Sequence, residues 1–206
     1  MSSNSTKKSP QKRGSPSQQV RIIGGQWKRT PLPVLAADGL RPTPDRVRET
    51  VFNWLNHLLD GAWQQCACLD LFSGSGALGF EAASRGAGTV MMIEMSAPAV
   101  RHLKITKEKL HAEQVEIICG DAVVTAQRMA GAKQFDLIFL DPPYHQDWLA
   151  KTLPICKSLL REGGFVYAEA EVALSMDAPP DWLIDWEVIR ADKAGVVFYH
   201  LLQCKK

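Results

Sequence analysis

From residue 66 onward, short apolar runs alternate with helical stretches, and this alternation narrows the possible folds more than any other feature. The runs are ACLDLF (67–72), TVMMIE (89–94), VEIIC (115–119), FDLIFL (135–140) and GFVYAEA (164–170). Helical stretches lie between them, near 77–85, 96–111, 122–131 and 146–161, with Ser96 placed to cap the second and Gly86 to end the first. Apolar runs joined by helices predict strands buried on both faces, in a parallel sheet covered by helices on both sides. At the C-terminal end, IDWEVIR (184–190) and VVFYHLL (196–202) are separated only by ADKAG. So short a connection joins antiparallel neighbours, because a parallel return needs a crossover. The expectation is an α/β chain whose parallel sheet finishes in an antiparallel hairpin. With 206 residues, 46% hydrophobic and 22% charged, there is enough apolar material for one main domain with a real core.

The first 48 residues differ in character. They hold ten Lys and Arg against two acids, while the rest of the chain is net acidic. Residues 1–18, rich in Ser, Lys, Gln and Pro, are expected to be a disordered basic tail. Residues 20–35 read as a β-hairpin turned at Gly24-Gly25, within an extension over 19–42 whose last part, 36–42, is a loop. Thr43 as cap and Pro44 at the first helical position then open a helix. Val47, Val51, Trp54, Leu55, Leu58 and Leu59 form its apolar stripe. Arg48 falls inside that stripe and in the first turn, where the helix dipole disfavours a cation. Such a residue is either functional or half of a structural ion pair. In the extension, charges alternate with Ile22, Trp27 and Leu32, which favours a polyanion partner such as nucleic acid.

Five cysteines, an odd number without zinc spacing, are expected to be reduced and mostly in the core. No run approaches the roughly 18 apolar residues of a membrane helix, and no secretion signal opens the chain. The expected location is the cytoplasm. The histidines His57, His102, His111 and His200 show no metal spacing, so no metal is expected.

The chemistry concentrates at the ends of the predicted strands. Gly74, Gly76 and Gly79 match G-x-G-x-x-G in a strand–turn–helix context, with Glu94 ending the next strand where a carboxylate can grip a ribose. That pattern alone suits a nicotinamide dinucleotide or S-adenosylmethionine. Asp70, directly before the loop, would repel a pyrophosphate and suits an amine-bearing cation. The fourth strand ends in Asp141-Pro142-Pro143-Tyr144. An aromatic exocyclic amine is a poor nucleophile because its lone pair is conjugated into the ring. The Asp141 carboxylate and the Pro142 carbonyl can each accept one N–H and draw the nitrogen toward sp³ geometry. Tyr144 offers a face for base stacking. Asp121, after the third strand, is placed either to meet an adenine amino group or to cap the next helix.

Together, Arg21–Trp27, GLRPTPDRVRETVFNWL (39–55), DLFSGSGALGFEAASRGA (70–87) and FDLIFLDPPY (135–144) closely resemble the bacterial RsmD family, the 16S ribosomal RNA guanine-N2 methyltransferases. The resemblance implies a class I, Rossmann-like methyltransferase fold over 43–206. Its seven-stranded, mostly parallel sheet carries an antiparallel C-terminal strand, with a small N-terminal RNA-binding hairpin extension. It implies S-adenosylmethionine held by Asp70, Phe72, Ser73, Gly74, Gly76, Glu94, Asp121, Ala122 and Asp141. The target base would meet Asp141, Pro142 and Tyr144. RNA contacts are expected from Arg21, Lys28, Arg29, Arg41, Arg46 and Arg48, on 16S rRNA in an assembling small subunit, by a monomer. For Arg48, the partners considered are the cofactor carboxylate, Glu49, an RNA phosphate or a core-edge acid. The competing readings are an N6-adenine methyltransferase acting on DNA or RNA, a non-catalytic RNA-binding assembly factor, and a nicotinamide-dependent oxidoreductase.

Overall fold

The computed structural model describes residues 20–34, 43–131, 134–144 and 146–205. The expected tail, the 36–42 loop with Arg41, and His145 lie outside them. The described chain opens with a small hairpin, β1 (Val20–Arg21) against β2 (Pro31–Leu32), followed by helix α1 (Asp45–Leu58). Strand and helix then alternate: β3 (Ala67–Asp70), α2 (Ala77–Ser84), β4 (Thr89–Glu94), α3 (Ala97–Leu110), β5 (Val115–Cys119), α4 (Ala122–Met129), β6 (Phe135–Leu140), α5 (Trp148–Leu159) and β7 (Leu160–Ala170). The chain closes with β8 (Trp186–Ala194) and β9 (Val197–Cys204).

Seven strands form one sheet in the order β5-β4-β3-β6-β7-β9-β8. The first five are mutually parallel, and β9 inserts antiparallel between β7 and β8. The order reverses direction on either side of β3 and β6. In open α/β sheets, a crevice opens at such a point, beyond the carboxyl ends of the strands. Two apolar cores lie on the two faces, one around Phe52, Phe80, Phe139 and Tyr167, the other around Leu140, Leu153, Val166 and Trp186. Among the described residues, no helix is long and apolar enough to cross a membrane.

The departures from expectation have local causes. VEIIC is not buried on both faces: β5 is an edge strand, leaving Ile117 and Ile118 half-buried and Cys119 exposed. ADKAG is not a five-residue turn, because β8 runs through Ala194 and the reversal is made by Gly195 and Val196. The N-terminal hairpin does not turn on Gly24-Gly25 alone. Ile22 N–H donates to Thr30 O and Arg29 N–H to Ile22 O, so the reversal spans 23–28. Gly25 serves docking instead. It has φ +73°, and a Cβ there would overlap the backbone carbonyl of Ser84 on α2.

That docking is extensive. The fully buried Glu81 of α2 accepts from Ile23 N–H at 2.6 Å, Gly24 N–H at 2.9 Å and Arg85 Nε at 2.8 Å. Ser84 Oγ donates to Gly24 O and accepts from Trp27 N–H.

Candidate active site

At the carboxyl ends of β3, β4 and β6 lies a cavity of about 210 Å³. Its walls bring together Asp70, Phe72, Ser73, Gly74, Glu94, Asp141, Pro142 and Tyr144, residues spread over 75 positions of sequence. Pro33, Val34 and Thr43 close it from the N-terminal side. The extension is thus part of the wall.

Asp70 ends β3 with its side chain turned under the loop. Its carboxylate accepts two long bonds, from Phe72 N–H at 3.4 Å and Gly79 N–H at 3.2 Å, with the Ser73 hydroxyl also favouring its charged form. Burial raises its pKa to about 7, against those two bonds and with help from the nearby Glu94 charge. A buried, weakly satisfied acid at a cavity wall fits an amine-bearing cation and is wrong for a pyrophosphate. Glu94 accepts Gly74 N–H at 2.8 Å through Oε2 and Ser96 N–H at 2.6 Å through Oε1. Each oxygen keeps a second lone pair for a hydroxyl donor. The donor set therefore fits S-adenosylmethionine.

Two expected cofactor glycines part company. Gly74 (φ +49°) lines the cavity, with open space where a Cβ would go. Gly76 (φ +80°) faces the core instead, where a Cβ would meet Phe80 at 2.5 Å and Leu103 at 2.7 Å. Its smallness serves the packing of the α2 N-terminus. Asp121 caps α4 by accepting Val124 N–H at 2.9 Å, and neither it nor Ala122 is among the cavity walls.

Thr43 is not the helix cap it was expected to be. The cap position falls on Pro44, without a side-chain bond. The Thr43 hydroxyl instead sits 3.0 Å from Asp141 Oδ2 and 2.6 Å from Glu169 Oε1. Tyr167 Oη donates to the same Glu169 oxygen at 2.7 Å. Asp141 is held well above the usual carboxylate range, first by burial and then by the facing Glu169; burial also raises Glu169. Sequence reasoning missed Thr43, Tyr167 and Glu169. The one signal for them was an acid inside the otherwise apolar run GFVYAEA.

Arg48 is a correction to the expected RNA contacts. Its side chain is fully buried and donates to Asp45 Oδ1 at 2.6 Å, Arg21 O at 2.7 Å and Thr43 O at 3.4 Å. A guanidinium so enclosed ties the hairpin and the 43–45 segment to α1 and reaches no surface phosphate. Its acid is Asp45, not Glu49. Arg21, Lys28, Arg29 and Arg46 are exposed, Arg21 also pairing with Asp45 at 2.8 Å.

Comparison with known proteins agrees with this architecture. A family model described as "Conserved hypothetical protein 95" matches residues 20–203. The ribosomal RNA small subunit methyltransferase D of Haemophilus influenzae is 36% identical over 189 residues, covering 90% of this chain and 94% of that protein. The chain belongs to the ribosomal RNA small subunit methyltransferase D family. The family's Escherichia coli protein is 38% identical over 192 residues, with 92% of each chain covered. The solved structure of the putative methyltransferase yhhF from Escherichia coli superposes with a TM-score of 0.75 at 34% identity, covering 91% of this chain and 98% of that one. The family match includes the N-terminal hairpin as well as the sheet.

Proposed function

We propose that this protein methylates small-subunit ribosomal RNA at the exocyclic N2 amine of a guanine, using S-adenosylmethionine. The observation that carries the reading is the convergence of Asp141-Pro142-Pro143-Tyr144 with Asp70 and Glu94 on one cavity. When bound, the cofactor supplies an electrophilic methyl group on a sulfonium. Asp70 and the Gly74 loop hold its methionine end, and Glu94 its ribose. The chain's task is to make a conjugated amine nucleophilic and hold it still. Asp141 and the Pro142 carbonyl accept its two N–H bonds, Pro143 limits the backbone's freedom, and Tyr144 stacks on the ring. The hairpin extension, with Lys28 and Arg29 exposed at its tip and Arg21 and Arg46 nearby, binds the RNA backbone.

Incubation with tritiated S-adenosylmethionine and undermethylated small subunits, or naked rRNA, tests this directly. Digestion to nucleosides should yield labelled N2-methylguanosine. Labelled N6-methyladenosine would overturn the choice of base, and no label in either RNA would overturn the transfer.

A further inference from the structure

The proton count around Asp141 does not close with both carboxyls ionised. A threonine hydroxyl has one proton to give. Thr43 Oγ1 nevertheless lies within hydrogen-bond distance of two carboxyl oxygens, Asp141 Oδ2 at 3.0 Å and Glu169 Oε1 at 2.6 Å. Tyr167 spends its own proton on Glu169 Oε1. With both acids ionised, one oxygen pair around Thr43 would face each other with no proton between them. Glu169 and Thr43 are almost completely buried and Asp141 is half-buried at the cavity wall, so water reaches that repulsion only from the Asp141 side.

The surroundings say where the extra proton rests. Glu169 receives the Tyr167 hydroxyl and faces the Arg48 guanidinium of α1. Asp141 faces Asp70 of β3 and Glu169 of β7, both acids; Tyr199 of β9 adds no cation. Glu169 is therefore the better-supported anion and Asp141 the better-placed acid.

We propose that Asp141 and Glu169 form a one-proton pair bridged by the Thr43 hydroxyl, the proton resting on Asp141 until a target amine claims that carboxylate and then passing to Glu169. In the transfer, the Asp141 O–H bond breaks and an O–H bond forms on Glu169, either across the direct contact between the two carboxyls or by way of Thr43, which takes one proton and gives its own, so the pair keeps one negative charge throughout. Glu169 and Thr43 are positioning residues that act through Asp141. Thr43 joins the RNA-binding extension to α1, so the extension supplies the link in this chain. The catalytic use of the proton rests on the methyl-transfer reading; the shared proton itself does not.

Thermal denaturation of the free protein tests the pair without cofactor or RNA. A carboxyl that stays protonated in the fold but ionises in the unfolded chain contributes stability that is lost as pH rises from about 4 through its folded value. Glu169→Gln removes the part of that loss that comes from the facing charge. The Tm of the variant relative to wild type should therefore rise by at least about 4 °C between pH 5 and pH 8. Were Glu169 only an ionised partner for Arg48, its contribution would already be complete above about pH 5 and the difference would stay flat; no movement, or movement the other way, overturns the proposal. Asp141→Asn, which keeps the side-chain shape, should move in the same direction if Glu169→Gln folds poorly.

Discussion

Glu81 and Glu169 are both buried, both partnered, and differ in what their partners can give. Glu81 collects three N–H donors, two from the hairpin backbone and one from Arg85. None of those protons is claimed by a second acceptor. Glu169 collects the Tyr167 hydroxyl and half a claim on the Thr43 hydroxyl, the other half belonging to Asp141. Depth of burial does not separate the two. The supply of protons does: Glu81 is a fastening, and Glu169 shares the Thr43 donor with a second acid. Buried acids in this fold are best sorted by donors received against acceptors competing for them.

The comparison can be broken from its catalytic side first. Asp141→Ala should lower kcat by about 10²–10⁴-fold without lowering the Tm at pH 8, because the proposed methyl-transfer site loses an acceptor while the cavity wall loses an acid facing two others. Single-turnover methylation and a melting curve check both halves; activity within threefold of wild type ends the proposed role.

On the structural side, Glu81→Gln turns an amide donor toward backbone donors and should cost about 3 kcal/mol in urea denaturation. Hydrogen exchange at the Ile23 and Gly24 amides should accelerate with it. Unchanged exchange there would mean that the hairpin is held by something else.

The glycine loop carries the same division. Gly76→Val should destabilise by about 2 kcal/mol through overpacking against Phe80 and Leu103. Gly74→Ala, with open space before it, should cost about 1 kcal/mol for its left-handed backbone. Equal melting temperatures for the two variants would contradict the assignment of Gly76 to the core.

Asp70 adds a pH test. Its carboxyl is pushed up to about 7 by burial, so below that pH it is neutral and attracts a cationic ligand less. Affinity for S-adenosylmethionine should fall by up to about tenfold per pH unit as pH drops from 7 to 5. Asp70→Asn should flatten the calorimetric profile. In the free protein, the stability contributed at Asp70 is present below about pH 4 and lost as pH rises through 7, so ligand binding at pH 8 should raise Tm more than at pH 5.

The smallest expected effect lies at the hairpin tip. Replacing Lys28 and Arg29 by alanine should reduce the salt slope of RNA binding by about one counterion for each phosphate left without its cation, with cofactor affinity unmoved. An unchanged slope would place the RNA-binding surface elsewhere.

Much of this was legible in the sequence. The sheet announced itself through apolar runs at regular spacing, and the antiparallel ending through a connection too short to cross over. Asp70, Glu94 and Asp141 converged because each ends a parallel strand, where this topology gathers side chains. What stayed hidden depended on contacts across long separations. A threonine before a proline reads locally as a cap, and nothing nearby says that its hydroxyl lies against residues 98 and 126 positions away. Gly76 fits a cofactor motif in spacing, yet its constraint comes from Phe80 and from Leu103 on the next helix. Arg48 was conspicuous as a charge in an apolar stripe, but two of its three acceptors are backbone carbonyls, which no sequence pattern marks.

The hairpin is fastened by its main chain: Ile23 and Gly24 through their N–H groups, Arg21 through its carbonyl. Among its exposed basic side chains, Arg21 adds an ion pair to Asp45. Lys28 and Arg29 lie outside these fastenings, so their side chains can change while the path of the chain stays put. The hairpin itself is not a detachable accessory. Its removal would take two N–H donors from the buried carboxylate of Glu81 and one carbonyl from the buried guanidinium of Arg48. A shortened descendant would leave Glu81 with Arg85 alone and Arg48 without its Arg21 carbonyl, so changes at the tip disturb the fold less than its loss.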